Sequence, residues 1–169
     1  AGGTFWLSAS QDTGSLGWDA AYPRVCTYAR FAPKQGGRKF WVFNTHFDHL
    51  GEKARSQSAR LILRKIDSLN PSAGPVALMG DLNALPETPP LALLTQKLQD
   101  PASLAPSGLY GPKGTFNGFH KCKTADRRID YILLSGFLVR RYAHVDDRRD
   151  NNLHLSDHFP ALADIVFAD

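Results

Sequence analysis

Leu155-Ser156-Asp157-His158-Phe159-Pro160 decides how this chain is read, because two earlier clusters carry the chemistry it needs as company. They are Asn44-Thr45-His46-Phe47-Asp48-His49 and Gly80-Asp81-Leu82-Asn83-Ala84. Each borders an apolar run of the kind that forms a buried strand. Their polar side chains are therefore expected at one rim of a sheet, where α/β folds place their sites.

The surrounding pattern supports such a fold. Residues 4–7, 24–32 and 39–45 are rich in aromatic and β-branched residues and are separated by Gly- and Pro-bearing connections, so they read as strands, with Gly36-Gly37 closing a hairpin. Over residues 52–69 the period changes: Ala54, Ser58, Leu61, Ile62, Ile66 and Leu69 fall on one face, which predicts an amphipathic helix. Residues 75–79 read as a strand buried on both faces. A second helix is expected to start at Thr88 as N-cap, with Pro89 and Pro90 in its first turn and Leu91, Leu94 and Leu98 inward. Residues 100–113 read as a long surface loop, and residues 115–119, 128–134, 137–145 and 160–167 as further strands.

A chain of 169 residues with 43% hydrophobic and 21% charged residues has the make-up of one globular domain, assigned to residues 1–169, and not of a disordered or fibrous protein. The formal charge of +4 favours an anionic substrate, but spread over this length it does not by itself point to nucleic acid. Cys26 and Cys122 lack the spacing of a disulfide framework or a zinc site and are expected to be free thiols. No apolar run approaches the roughly 18 residues of a membrane span, and Ala1-Gly2-Gly3 opens without a basic-then-apolar leader.

Asp130 stands in the apolar run Arg128-Ile129-Asp130-Tyr131-Ile132-Leu133 and needs a partner if buried. His158 is one: an Asp accepting from one imidazole nitrogen fixes the tautomer and frees the other for a proton or a phosphoryl oxygen. Arg127 or Arg128 at the strand entrance is the plainer alternative. Asp81 and Asn83 are two apart, so on an extended segment they face one spot, suited to positioning a water and a phosphoryl oxygen; a polar turn is the alternative. Asp157 beside His158 pairs a hard oxygen ligand with a base, which suits magnesium or manganese better than zinc; Ser156 or Asp157 serving as a loop cap is the alternative.

The set Asn44-Thr45-His46, Gly80-Asp81-Leu82-Asn83, Arg128-Ile129-Asp130-Tyr131-Ile132 and Ser156-Asp157-His158, with Gly114-Thr115-Phe116-Asn117 in support, resembles the endonuclease/exonuclease/phosphatase superfamily. Trp18-Asp19-Ala20-Ala21-Tyr22-Pro23-Arg24 is similar to its bacterial branch of uncharacterised members, some of them exported; cytoplasm and export both stay open. The resemblance implies an α/β, DNase I-like two-sheet sandwich flanked by helices, missing part of its first half. It implies metal-dependent hydrolysis of a phosphodiester or phosphomonoester, with magnesium or manganese as cofactor. Asp81 would orient or deprotonate the attacking water and Asn83 would hold the phosphoryl group. His46 and His158 would stabilise charge on its oxygens, Asp130 would orient His158, and Asp157 would bind the metal. Arg24 and Asn117 would contact substrate. Nucleic acid, lipid headgroup and sugar phosphate all remain open as its source.

One part of the family pattern is absent. The upstream Asn and the Gln-Glu pair whose Glu is the principal metal ligand have no match; Gln11-Asp12 has neither the preceding strand run nor the following Glu. The metal site is expected to be incomplete, and the chain either to self-associate or to be a piece of a longer folded protein. A non-catalytic anion-binding or interaction module, or an inactive fragment of such an enzyme, is the alternative reading.

Overall fold

Trp41, Phe43 and Thr45 are buried while their neighbours along residues 40–46 are not, the two-residue period of a strand with one face in a core. A computed structural model describes residues 1–106, 108–119 and 125–169. In it this segment is β3 (Phe40–His46), and it sits in a five-stranded sheet with β1 (Gly2–Trp6), β2 (Val25–Phe31), β4 (Val76–Asp81) and β6 (Asp130–Ser135), in the order β1-β2-β3-β4-β6. A second sheet holds β5 (Leu109–Tyr110), β7 (Phe137–His144) and β8 (Ala161–Phe167), in the order β5-β7-β8. The fold is the expected two-sheet α/β sandwich.

β3 and β4 are parallel, so their connection has to cross the sheet, and α1 (Glu52–Leu69) makes that crossover. Ala54, Ser58, Leu61, Ile62 and Ile66 are buried, as the helical period requires, and Leu69 packs partly buried on the same core. This core joins α1 and α2 (Pro89–Leu94) to one face of the large sheet through Phe43, Leu78, Leu133, Ile62 and Leu94. Ala77, Leu134 and Phe137 form a smaller core between the sheets, with Met79, Ile132, Ile165 and Phe167 partly buried against it.

Several expectations change in detail. Residues 115–119 form no strand; Phe116 makes single bridges to Arg127 and His158, because Thr115 and Asn117 spend their polar groups on neighbouring backbone. β6 starts at Asp130, so this acid opens the strand instead of standing inside it. Thr88 occupies the N-cap position of α2, yet its hydroxyl donates back to the Leu85 carbonyl at 2.6 Å and caps nothing. α2 stops at Leu94, and Leu98 reaches the core from beyond its end. The surface loop over residues 100–113 contains a 3-10 turn (Pro101–Ser103) and β5, which a Gly- and Pro-rich context hid. Cys26 is free and buried, and burial pushes its thiol up to about 12; Cys122 lies outside the described residues. Among the described residues no helix is long and apolar enough to cross a membrane.

Candidate active site

Strand register assembles the site. His46 is the partner of Asp81 across β3 and β4, and Asp81 is the partner of Asp130 across β4 and β6. Three ionisable residues thus form one row across three adjacent strands. His46 Nε2 lies 3.3 Å from Asp81 Oδ2, and His158, delivered by the loop before β8, places Nδ1 2.8 Å from Asp130 Oδ2. Gly80 lets β4 approach β3 just before the row: a Cβ there would lie 1.8 Å from the Thr45 carbonyl oxygen, and its φ of 134° is one that L side chains rarely adopt.

The row's electrostatics are mutual. Burial holds the His46 imidazole below its ordinary value, Arg24 and His158 push the same way, and Asp81 and Asp130 oppose them. Burial also raises the Asp81 carboxyl, against the Asn83 backbone N–H, with the Asp130 carboxylate adding to the rise and the two histidines opposing it. A carboxyl whose proton affinity is raised by burial and a like charge, beside an imidazole held toward neutrality, is an arrangement suited to proton handling.

Asp81 and Asn83 do meet, by a different route from the one their spacing suggested. The chain leaves the strand at Asp81, and Asn83 adopts a positive φ of 45°. Its backbone N–H donates to Asp81 Oδ1 at 2.8 Å, while Nδ2 donates to the Phe47 carbonyl at 3.1 Å and lies 3.4 Å from Asp81 Oδ2. The pair is a turn in which Asn83 braces the Asp81 carboxylate.

A buried threonine sets the other half. Thr115 Oγ1 accepts from the backbone N–H groups of Ile129 and Asp130 at 3.0 and 3.1 Å, and its carbonyl accepts from Phe159 N–H at 2.7 Å. One residue thereby ties the start of β6 to the His158 loop. Asn117 works alongside it: buried, it donates Nδ2 to the Ser156 carbonyl at 3.0 Å and accepts from Phe119 N–H at 2.8 Å, so its amide braces the loop that carries His158. Phe116 packs edge-on against the His158 ring. The alternative partners of Asp130 are occupied elsewhere, since Arg128 pairs with Asp100 and Arg127 lies over the Phe116 ring.

Asp157, the expected metal ligand, stands apart from the tightest group. Asp81, Asp130 and His158 each bring a ligand atom within 4.8 Å of the others. The Asp157 carboxylate is 3.4 Å from the Ser156 hydroxyl, and its carbonyl accepts from the N–H groups of Asn117 and Gly118. Two carboxylate oxygens at this spacing are ligands of the kind a hard divalent cation would take.

On the other flank, Asp48 is buried and organises the loop before α1. It accepts from Tyr22, Leu50 and Gly51 N–H at 3.1, 3.0 and 2.8 Å. Asp19 caps α1 from a distance, accepting from Ala54 N–H at 2.6 Å and Lys53 N–H at 3.2 Å. Arg24, held with Nε 3.7 Å from Asp48 Oδ2, lines a cleft of about 430 Å³ together with His46 and Asp81. Thr115 and Asp48 stand inside the motifs read from the sequence, but no role of their own was expected of them. Their signal was a small polar residue inside each motif, which is indistinguishable from a turn residue until its backbone partners are in place.

A model of the Endonuclease/Exonuclease/phosphatase family matches residues 7–158. The chain belongs to that family. Among solved structures, a mannosyl-6-phosphatase of Bacteroides thetaiotaomicron superposes with a TM-score of 0.92 at 36% identity, over 99% of this chain and 66% of that one. A functionally unknown conserved protein of Enterococcus faecalis gives 0.91 at 33% identity, over 99% and 66%. The catalytic domain of human nocturnin, solved with a bound sulfate, gives 0.76 at 22% identity over 99% and 59%, a likeness of fold alone. The DNase I-like fold implied by the motifs is therefore the fold of this chain. An uncharacterized protein of Acanthamoeba polyphaga mimivirus is 36% identical over 81 residues, 46% of this chain and 30% of that protein. The chain thus spans about two-thirds of the length of the bacterial family members, at 66% of each.

Proposed function

We propose that the protein hydrolyses phosphate esters with the aid of a divalent cation, and that a sugar phosphomonoester is the first substrate to test. The observation that supports it best is the Asp130–His158 bond of 2.8 Å beside Asp81 in the same strand row. The 36% identity to a mannosyl-6-phosphatase supports the sugar ester.

In this reading a water oxygen attacks phosphorus while Asp81 takes one of the water's protons. The bond from phosphorus to the ester oxygen breaks, and the leaving oxygen departs with the electron pair and takes a proton from solvent. His158, with Nδ1 committed to Asp130, turns Nε2 to a phosphoryl oxygen, and His46 serves a second oxygen. Asn83 holds Asp81 in place at the edge of the phosphoryl site, and Arg24 adds positive charge. Positioning and electrostatics carry most of phosphoryl transfer, so such a set is sufficient in kind. A magnesium or manganese ion, when bound, would supply positive charge against the phosphoryl oxygens; Asp81 and Asp130 would hold it.

The test is release of inorganic phosphate from mannose 6-phosphate, and of nitrophenol from bis(p-nitrophenyl) phosphate, with magnesium and with EDTA. Magnesium-dependent turnover of the monoester is the expected result. Binding of phosphate without hydrolysis of either ester would make the protein an anion-binding module instead.

A further inference from the structure

A second cavity, of about 460 Å³, opens beside the row and is bounded by the start of α1, the segment leading into α2, and Arg127. It meets the cleft over His46 and Asp81 at two contacts. Asn83, in its wall, lies 3.4 Å from Asp81 Oδ2, and His49, also in its wall, has Nδ1 3.4 Å from Arg24 Nη2. A substrate with its phosphoryl group over Asp81 has this space within reach of its remainder.

The cavity's charge is one-sided. Lys53, Arg55 and Arg127 line it against a single carboxylate, Glu52. Among the described residues none of these three cations is paired with a carboxylate; Arg55 donates to the Asp48 carbonyl at 3.0 Å, and Arg127 lies 5.3 Å over the Phe116 ring. Surface cations are commonly just solvated. Three of them around a concave space that adjoins a phosphoryl site, with Pro89 and Pro90 forming a rigid wall, point to a ligand.

We propose that this cavity is the subsite for the non-reacting part of the substrate and that it selects a second anionic group there, phosphate or carboxylate, on a molecule of sugar-phosphate size. The proposal rests on the phosphoesterase reading and adds the substrate class. The cavity's volume falls in the range of about 300–1,000 Å³ typical of small-molecule sites, which favours a compact ester over a polymer. None of the three cations belongs to the reacting row. Their attraction acts on binding, and therefore on selectivity among esters that share one chemistry.

The experiment compares kcat/KM for mannose 6-phosphate, fructose 1,6-bisphosphate and 3-phosphoglycerate in the wild type, Lys53→Met, Arg127→Met and the double variant. Mannose 6-phosphate has no second anion; the other two carry a phosphate and a carboxylate, and so separate the two sources. The ratio of each ester that carries a second anionic group to mannose 6-phosphate should fall about tenfold or more in the double variant, the loss expected when a charge-assisted contact is removed. A ratio unchanged within twofold for both would overturn the proposal. So would an oligonucleotide that is turned over in a Lys53- and Arg127-dependent manner while the small bisphosphate is not. His158→Ala separates the two levels: undiminished turnover in that variant moves the reaction away from the row and overturns the reading on which the subsite rests, whereas turnover lost there with an unchanged ester ratio in the double variant overturns the subsite alone. If the wild type turns over none of the esters, calorimetric affinities for the same three compounds supply the ratio. Both variants replace exposed side chains, and circular dichroism checks that they fold.

Discussion

Asp130 Oδ2 accepts from His158 Nδ1 at 2.8 Å, across 28 residues of sequence, and this contact joins the large sheet to the loop that enters the small one. Asp130 is held from behind by the Thr115 hydroxyl and His158 from beside by Phe116, so the pair is fixed before any ligand arrives.

Asp130 acts through its neighbour, and Asp130→Ala should lower kcat by about a hundredfold, the scale of a lost acid–base or orienting contact. The pH profile should change shape as well, since His158 loses the group that fixes its tautomer. Asp130→Asn, which keeps the shape and a hydrogen bond, should retain more activity than the alanine variant. Equal losses, with an unaltered profile, would show that the residue serves only folding.

Thr115→Val keeps volume and removes the acceptor for two buried N–H groups. It should cost about 1–3 kcal/mol of stability and lower turnover, while Thr115→Ser restores both. Thermal unfolding and phosphate release on the three proteins check this; a valine variant as stable as the wild type would show that Thr115 does not support Asp130.

Asp48 gives a pH-dependent prediction. Burial pushes its carboxyl up, but N–H groups of Gly51, Ala21, Leu50 and Tyr22 hold the charged form and bring it well below the usual carboxylate range. A group depressed in the folded state contributes stability that is fully present above its unfolded value, about 4, and is lost as pH falls through the folded value. Asp48→Ala should therefore destabilise the protein by about 2–4 kcal/mol near neutrality, and the gap to the wild type should narrow on acidification below pH of about 4. Denaturant midpoints measured across that range are the check; a gap that widens on acidification would contradict the account.

Much of this was legible in the chain. The period of α1, the strands before it and the order of the motifs were readable because each is a local pattern of apolar residues. The partnership of Asp130 and His158 was weighed against Arg127 and Arg128, and tertiary contacts decide that competition: Arg128 pairs with Asp100 and Arg127 lies over the Phe116 ring, placements no local pattern encodes. Residues 115–119 read as a strand because Thr and Phe favour one; tertiary hydrogen bonds used Thr115 and Asn117 differently. Asp81 and Asn83 meet through a positive φ, which is a property of the turn and not of their spacing. The basic cavity was invisible, since Lys53 and Arg127 are brought together by the fold alone.

The small core between the sheets leaves Met79, Ile132, Ile165 and Phe167 partly buried, and Leu138 and Leu162 are exposed on β7 and β8. Apolar surface and strand edges of this kind favour association. Light scattering of the 169-residue chain should report a mass above that of the monomer of 18.6 kDa; a monomer at all concentrations would contradict this.

The central claim is that the row from His46 through Asp81 and Asp130 to His158 is where a phosphate ester reacts. The most direct measurement is kcat for magnesium-dependent phosphate release from mannose 6-phosphate by the intact protein and its Asp81→Ala and His158→Ala variants, each with its thermal midpoint. The account predicts kcat losses of about a hundredfold or more for each variant, with midpoints close to the wild type. Turnover undiminished in either variant would show that the chemistry happens elsewhere.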